Sequence, residues 1–341
     1  MAQPSTVLVT GGAGFIGSHT TVELLEHGHE VVVVDDFSNS TPAALERVQK
    51  LTGRSVTLIQ GDVRDRALLD RVFGGHAIDQ VVHFAAKKAV GESMSIPLEY
   101  WDLNVGATVT LLQTMRDHAV TDLVFSSSCS IYGDARQLPL GEDAPAAPTN
   151  PYARSKWVCE QVLADACARH PELRVLALRY FNPIGAHPSG LLGEDPLGLP
   201  NNVMPYLTQV AVGRLQRLPV FGTDYPTPDG SCVRDYVHVV DIADGHRVAL
   251  GHLADAPGLR VRNLGTGVGT SVLELVAAFE RASGRRVPVA PTDRRPGDVP
   301  ALVADPGLVA REWGWRTRLD VAAMCADAWR FQELNPFGHA S

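Results

Sequence analysis

The chain has 341 residues, 45% of them hydrophobic and 20% charged, with a formal net charge of −8 at pH 7. That is enough apolar material for a substantial core and enough length for two lobes, while an acidic balance with no basic run longer than Lys87-Lys88 or Arg294-Arg295 argues against nucleic acid as a partner. No apolar run approaches the ~20 residues of a membrane span, Met1-Ala2-Gln3-Pro4 lacks a basic leader, and the five cysteines (129, 159, 167, 232, 325) contain no C-x-x-C pair, so a cytoplasmic protein without disulfide frame or metal site is expected.

Thr6 to Thr10 reads as a short apolar strand that runs into Gly11-Gly12-Ala13-Gly14-Phe15-Ile16-Gly17 and then a helix over 15–27. Gly11, Gly14 and Gly17 follow a G-x-x-G-x-x-G spacing, a variant of the dinucleotide fingerprint in which missing side chains let a pyrophosphate approach the helix N-terminal amides. His27-Gly28-His29 straddles the following turn and reads as surface. The next strand, 31–35, ends at Asp35, eighteen residues after Gly17, where a carboxylate can hold both hydroxyls of an adenosine ribose. Asp36-Phe37-Ser38 brings no arginine for a 2′-phosphate, so NAD is favoured over NADP.

Further strands at 56–60, 80–84, 122–127 and 174–180 alternate with helices at 42–51, 66–73, 97–118 and 152–170, the last opening at Pro151. This alternation predicts an α/β fold, a Rossmann-like doubly wound parallel sheet with helices on both faces. Gly61-Asp62-Val63, His83-Phe84-Ala85-Ala86 and Ser126-Ser127-Ser128 then lie at carboxyl ends of strands, where such sheets bind ligands. In Tyr152-Ala153-Arg154-Ser155-Lys156 the four-residue step puts a phenol and an ammonium on one helix face. A phenol of pKa about 10 becomes a base near neutrality only after a shift of roughly 3 units, which a close lysine and a cationic cofactor ring could jointly supply.

Beyond residue 182 proline and glycine become frequent and the alternation lapses, as expected for a smaller, loop-rich lobe. An apolar stretch at 236–250 reads as a strand and helix returning to the main domain, and 271–283 as a helix. The division expected is 1–182 with 236–262 for the nucleotide domain, and 183–235 with 263–341 for a substrate lobe; Asn182 at the boundary and Asn201, Asn202, Arg234 and Arg295 in the lobe's loops are the candidate substrate contacts.

The glycine motif, the serine triplet and Tyr-x-x-x-Lys together resemble the extended short-chain dehydrogenase/reductases. The segments His83 to Ser93, Arg179 to Gly190, Pro200 to Pro205 and Val233 to His238 are similar, more narrowly, to the UDP-glucose 4-epimerases over almost the whole chain. The resemblance implies NAD held by Gly11, Gly12, Gly14, Phe15, Ile16 and Gly17, by Asp35, Asn39 and Ser40, by Asp62 and Val63, and by Phe84, Ala85, Ala86, Lys88 and Tyr180. It implies catalysis by Ser128, Tyr152 and Lys156, which also touch the cofactor. For the UDP-sugar it implies Lys88, Ser128, Tyr152, Phe181 and Asn182, then Asn201, Asn202, Val203 and Phe221, and finally Arg234, Tyr236, Arg295, Asp298 and Leu302.

The reaction so implied is NAD-dependent interconversion of UDP-glucose and UDP-galactose through a 4-ketopyranose, by a homodimer paired through helices 97–118 and 152–170, with Trp101, Val105, Val109, Val158 and Val162 as interface candidates. Relatives with tyrosine at the position of Leu302 are restricted to unacetylated sugars and those with cysteine or serine accept N-acetylhexosamines, so leucine implies slower turnover of UDP-GlcNAc and UDP-GalNAc. Related 4,6-dehydratases carry an acidic pair where this chain has Cys129 and Ser130. Leu103-Asn104 stands where relatives show two asparagines, and Ala86 where glycine is frequent. Another sugar-nucleotide epimerase or dehydratase of the same fold, or an NAD-binding regulator without catalysis, remain the alternatives.

Overall fold

The computed structural model describes residues 5–135 and 137–339. Its centre is a seven-stranded, wholly parallel sheet of β1 (Thr6–Thr10), β2 (Glu30–Asp35), β3 (Thr57–Gln60), β4 (Gln80–His83), β5 (Asp122–Ser126), β6 (Arg174–Tyr180) and β10 (Gly258–Leu264), ordered β10-β6-β5-β4-β1-β2-β3. Because strand side chains alternate between faces, Val7, Val9, Val31 and Val33 face one core and Leu8, Val32 and Val34 the other. The first core is closed by α1 (Phe15–Glu26), α2 (Pro42–Thr52) and α9 (Val239–His252), the second by α3 (Arg66–Gly75), α6 (Ala107–Asp117) and α7 (Pro151–Arg169). Burial on both faces is why these strands read as continuous apolar runs. Chain order reverses between β1 and β4, which opens a crevice at their carboxyl ends.

A second sheet orders β11 (Gly269–Ser271), β9 (Val233–His238) and β13 (Ala301–Leu302), with β7 (Asn182–Ile184) also on β9; β8 (Leu218–Phe221) and β12 (Val289–Thr292) form a separate pair. Helices α8 (Val203–Ala211), α10 (Val272–Ser283) and α12 (Val321–Leu334) pack a third core with Ile184, Tyr236, Phe279 and Trp329. Ser271 caps α10 through a capping box with Glu274.

The strand at the head of the 236–250 stretch therefore pairs in the second sheet, while its helix packs on the first core; the seventh strand is β10, whose Arg260 and Arg262 break the apolar run that marks its neighbours. The expected helix 97–118 is a relay of α5 (Pro97–Tyr100), a π-helical turn over Trp101–Gly106, and α6, preceded by a short α4 (Val90–Ser95). The wide turn carries Asn104 inward: its Oδ1 accepts from Lys87 N (2.8 Å) and its Nδ2 donates to Lys87 O (3.1 Å) and Ser155 Oγ (2.8 Å). Such bulges trade helical regularity for placing one side chain. His29 is not a surface residue either; it is 5% exposed, with Nδ1 2.9 Å from Ser5 Oγ.

Candidate active site

One cleft of about 570 Å³ runs along the carboxyl ends of the main sheet and under the second lobe. At its floor Gly11 has φ +71°, and a Cβ there would lie 2.8 Å from Ala85 N; one on Gly17 would lie 2.3 Å from Gly11 O. A side chain at either position would close the turn. Gly12 is different: its missing Cβ makes room for the Val33 methyls, 2.8 Å away, so it serves packing and does not line the cleft. Gly14 caps α1 without a side-chain bond, leaving the amides of Phe15, Ile16 and Gly17 at the cleft wall.

Asp35, 6% exposed, uses Oδ2 to accept from Ala13 N (2.9 Å) and Oδ1 to accept from Phe37 N (3.0 Å) and Ser40 Oγ (2.7 Å). A carboxylate has about four acceptor sites, so it is locked in orientation with capacity left for a ribose hydroxyl. Asn39, Ser40, Asp62, Val63, Phe84, Ala85, Ala86 and Lys88 share this wall. Uncharged turn, anchored carboxylate and open helix amides together suit the adenosine diphosphate of a dinucleotide.

The chemical end is built by β5 and α7. Asn150 caps α7, accepting from Ala153 N (2.9 Å), with Pro151 in its first turn, so Tyr152 and Lys156 lie one turn apart. Both are buried and reach the cleft with Ser126, Ser128 and Tyr180. Burial pushes the Tyr152 phenol up to about 12, against a downward pull from the Ser128 hydroxyl. Burial likewise pushes Lys156 down to about 8; its Nζ donates to Ser126 O (2.7 Å) and stands 5.0 Å from the Phe125 ring centre. Ser126 Oγ also bonds the Tyr180 hydroxyl.

Behind the serines lies a buried ion pair. Glu160, one turn beyond Lys156, accepts from Ser127 Oγ (2.5 Å) and from Arg179 Nε (2.9 Å) and Nη2 (2.5 Å); Arg179 Nη1 donates to the Tyr132 hydroxyl (3.0 Å). The pair holds the strand end, and removal of one partner would leave the other charged and dry. Beneath Lys156, His83 contacts Thr10 Oγ1 (2.6 Å) and Thr108 Oγ1 (3.3 Å), and burial, with the lysine charge, depresses it to about 3, so the imidazole is neutral. Burial pushes Cys129 up to about 12, which makes it filler and not a nucleophile.

The same cleft is lined by Phe181, Asn182, Asn201, Asn202, Arg234, Arg295, Asp298 and Leu302. Arg295 is fixed by two bonds to Asp298 (Nε–Oδ2 and Nη2–Oδ1, both 3.0 Å) and lies 5.3 Å from the centre of the Phe221 ring. Arg234 is held through Nη1 to Val233 O (2.9 Å) and Pro300 O (3.4 Å). Strand register sets Leu302 opposite Arg234. Asp235 locks this corner: Oδ1 accepts from Thr266 N (2.9 Å) and Oγ1 (2.6 Å), and Oδ2 from Gly267 N (2.9 Å) and Ala304 N (3.1 Å). Val203, Phe221 and Tyr236 do not line the cleft: Val203 and Tyr236 pack in the third core, and Phe221 acts behind Arg295.

Sequence reasoning missed Glu194, Asp195 and His339, which also line the cleft. Glu194 Oε1 accepts from Lys88 Nζ (3.0 Å) and Asn202 Nδ2 (2.6 Å), while its Oε2 and Asn182 Oδ1 are buried without a protein partner. Buried polar atoms with open valence mark where a polar ligand belongs. These residues sit in an irregular loop and near the C-terminus, where no period announces them. Among the described residues no group of three or more His, Cys, Asp or Glu could hold a metal ion, and no helix is long and apolar enough to cross a membrane.

Comparison with known proteins agrees with this arrangement. The model of the family described as GDP-mannose 4,6 dehydratase matches residues 8–328. The chain is 52% identical over 335 residues to a UDP-glucose 4-epimerase of Bacillus subtilis, covering 98% of this chain and 99% of that one. It is 51% identical over 339 residues to the human UDP-glucose 4-epimerase, covering 97% of each. Its fold superposes with a TM-score of 0.96 on the UDP-glucose 4-epimerase of Bifidobacterium longum solved with NAD+ and UDP, at 50% identity and with 98% and 100% of the two chains covered.

Proposed function

Because the chain belongs to the UDP-glucose 4-epimerase family, within the extended short-chain dehydrogenase/reductases, we propose that it interconverts UDP-glucose and UDP-galactose with NAD as a retained cofactor. The observation that carries the reading is one cleft lined both by Tyr152, Ser128 and Lys156 and by Arg234 and Arg295. NAD, when bound, supplies the redox couple that takes two electrons from the sugar C4 and returns them, and a ring whose positive charge favours the phenolate.

The residues of the chain do the rest. Tyr152 Oη removes the proton from the 4-hydroxyl and later returns it to the 4-ketopyranose oxygen. Its phenol, raised by burial, needs positive charge beside it to ionise near neutrality. Ser128 hydrogen-bonds the same oxygen as it loses and regains the proton. Lys156, tied to Ser126 O, keeps its ammonium at the nicotinamide ribose side. Arg234 and Arg295 take the diphosphate by charge-assisted bonds, which leaves the hexose free to turn over. Cys129 and Ser130 stand where a dehydratase needs an acid and a base, which supports an epimerase against that sister activity.

We assign NAD to the lobe formed by 1–182 and 236–262 and the UDP-sugar to 183–235 and 263–341. Leu302, 6% exposed at the cleft, suits a preference for unacetylated sugars with slower N-acetyl turnover. A cytoplasmic location suits five free, buried cysteines. A homodimer through the helices at 97–118 and 152–170 is supported by partly exposed Trp101, Val105, Val109, Val158 and Val162; light scattering at micromolar concentration should give twice the 36.7 kDa chain mass, and a monomer mass would overturn it. The activity itself is tested by incubating pure protein with UDP-galactose without added nucleotide. UDP-glucose should form, and denatured protein should release NAD; no product, or stoichiometric NADP, would sink the reading.

A further inference from the structure

Two segments of the second lobe cross onto the nucleotide lobe where the cleft is bounded by Asp36, Ser38, Asn39 and Thr41. In the first, 191–199, Leu197 N donates to Asn39 Oδ1 (3.3 Å) and Leu191 O accepts from Arg47 Nη1 on α2 (2.9 Å). In the second, 335–339, Asn335 Oδ1 accepts from Arg47 Nη1 (2.6 Å) and His339 O from Arg47 Nη2 (2.8 Å). Asp195 joins the two, its Oδ2 accepting from His339 N (2.7 Å). Gly338, at φ +87°, lies so close that a Cβ would sit 2.2 Å from the Asp195 carboxylate.

This path delivers the His339 ring into the cleft wall. The side chain is 8% exposed, with Nδ1 3.5 Å from Asp195 Oδ2, the ring against Phe331 at 5.2 Å, and Nε2 buried without a protein partner. Burial lowers its pKa to about 4, so the imidazole is neutral at pH 7, and Asp195 beside Nδ1 favours the proton there. Nε2 is then a buried acceptor with an open lone pair, on a residue that lines the ligand cleft.

We propose that His339 belongs to the dinucleotide site, its Nε2 accepting a hydrogen bond from a ribose hydroxyl or amino group of the adenosine-diphosphate half, and that Arg47 and Asp195 make 335–339 a strap that slows cofactor release. The proposal rests on NAD being the cofactor. A cofactor regenerated within every cycle has no need to leave, so a slow exit costs no turnover.

The test loads the protein with NADH, chases with excess NAD, and follows loss of bound NADH fluorescence. His339→Ala should accelerate release ~10-fold, the scale of one buried hydrogen bond. His339→Gln, which keeps an acceptor, should restore most of the difference, and Arg47→Ala should accelerate release without touching the dinucleotide. Melting of nucleotide-stripped protein should fall less with His339→Ala than melting of the loaded form. A release rate for His339→Ala within about twofold of the parent, or equal losses of melting temperature in stripped and loaded forms, would overturn the proposal. A parent that takes up no NADH would instead overturn the functional reading on which it rests.

Discussion

Tyr152→Phe should lower turnover at least ~100-fold, the scale of a lost general acid/base, with little change in melting temperature. The substitution removes only the hydroxyl from a buried ring at the start of α7, and the Asn150 cap and Pro151 that fix this helix are untouched. The phenol is the group proposed to exchange a proton at the sugar oxygen; Lys156 is engaged by Ser126 O, and His83 beneath it is held neutral. KM for the UDP-sugar should change little, because the diphosphate is proposed to rest on Arg234 and Arg295, which Tyr152→Phe leaves untouched. Steady-state kinetics beside a thermal melt provide the check: near-parental turnover in a folded variant would sink the mechanism.

A second large effect concerns which sugar is accepted. Leu302→Tyr should depress turnover of the N-acetylated UDP-hexoses by roughly 10- to 200-fold relative to UDP-galactose, the range that a change in pocket size commands. Leu302 is 6% exposed and lines the cleft, and in the role proposed for it a phenol ring would take up space that a 2-acetamido group needs. The parent should therefore show measurable N-acetyl activity, slower than on the unacetylated pair. Competition between the two substrate classes, parent against variant, decides it; an equal fall on both, or no N-acetyl activity in the parent, would remove Leu302 from the role.

The nucleotide half of the molecule was legible because parallel strands buried on both faces must be continuously apolar, as Val31 to Val34 are, and because Gly11 and Gly17 stand where a Cβ would collide with backbone, which leaves their spacing in the sequence. Tyr152 and Lys156 were equally open to view, since helical periodicity alone sets them one turn apart. The π-helical turn at Trp101–Gly106 was not, because its cause is a long-range bond from Asn104 to the loop after β4. β10 was hidden by the polar residues an edge strand tolerates, and His29 by a partner, Ser5, that precedes the neighbouring strand and lies 24 residues away in sequence. Glu194 and His339 could not be read at all; their placement follows from tertiary contacts between irregular segments, for which local sequence carries no period.

The pairing of Leu302 with Arg234 has a consequence for how such a site can diversify. The side chain proposed to gauge the hexose and the guanidinium proposed to grip the diphosphate are carried by neighbouring strands, joined by main-chain bonds and pinned by Asp235, so neither backbone position depends on what side chain Leu302 is. Residue 302 can thus be exchanged without moving the anchor. Breadth of sugar choice becomes a trait adjustable by single substitutions, while the grip on the nucleotide, and with it the chemistry at Tyr152, is inherited unchanged.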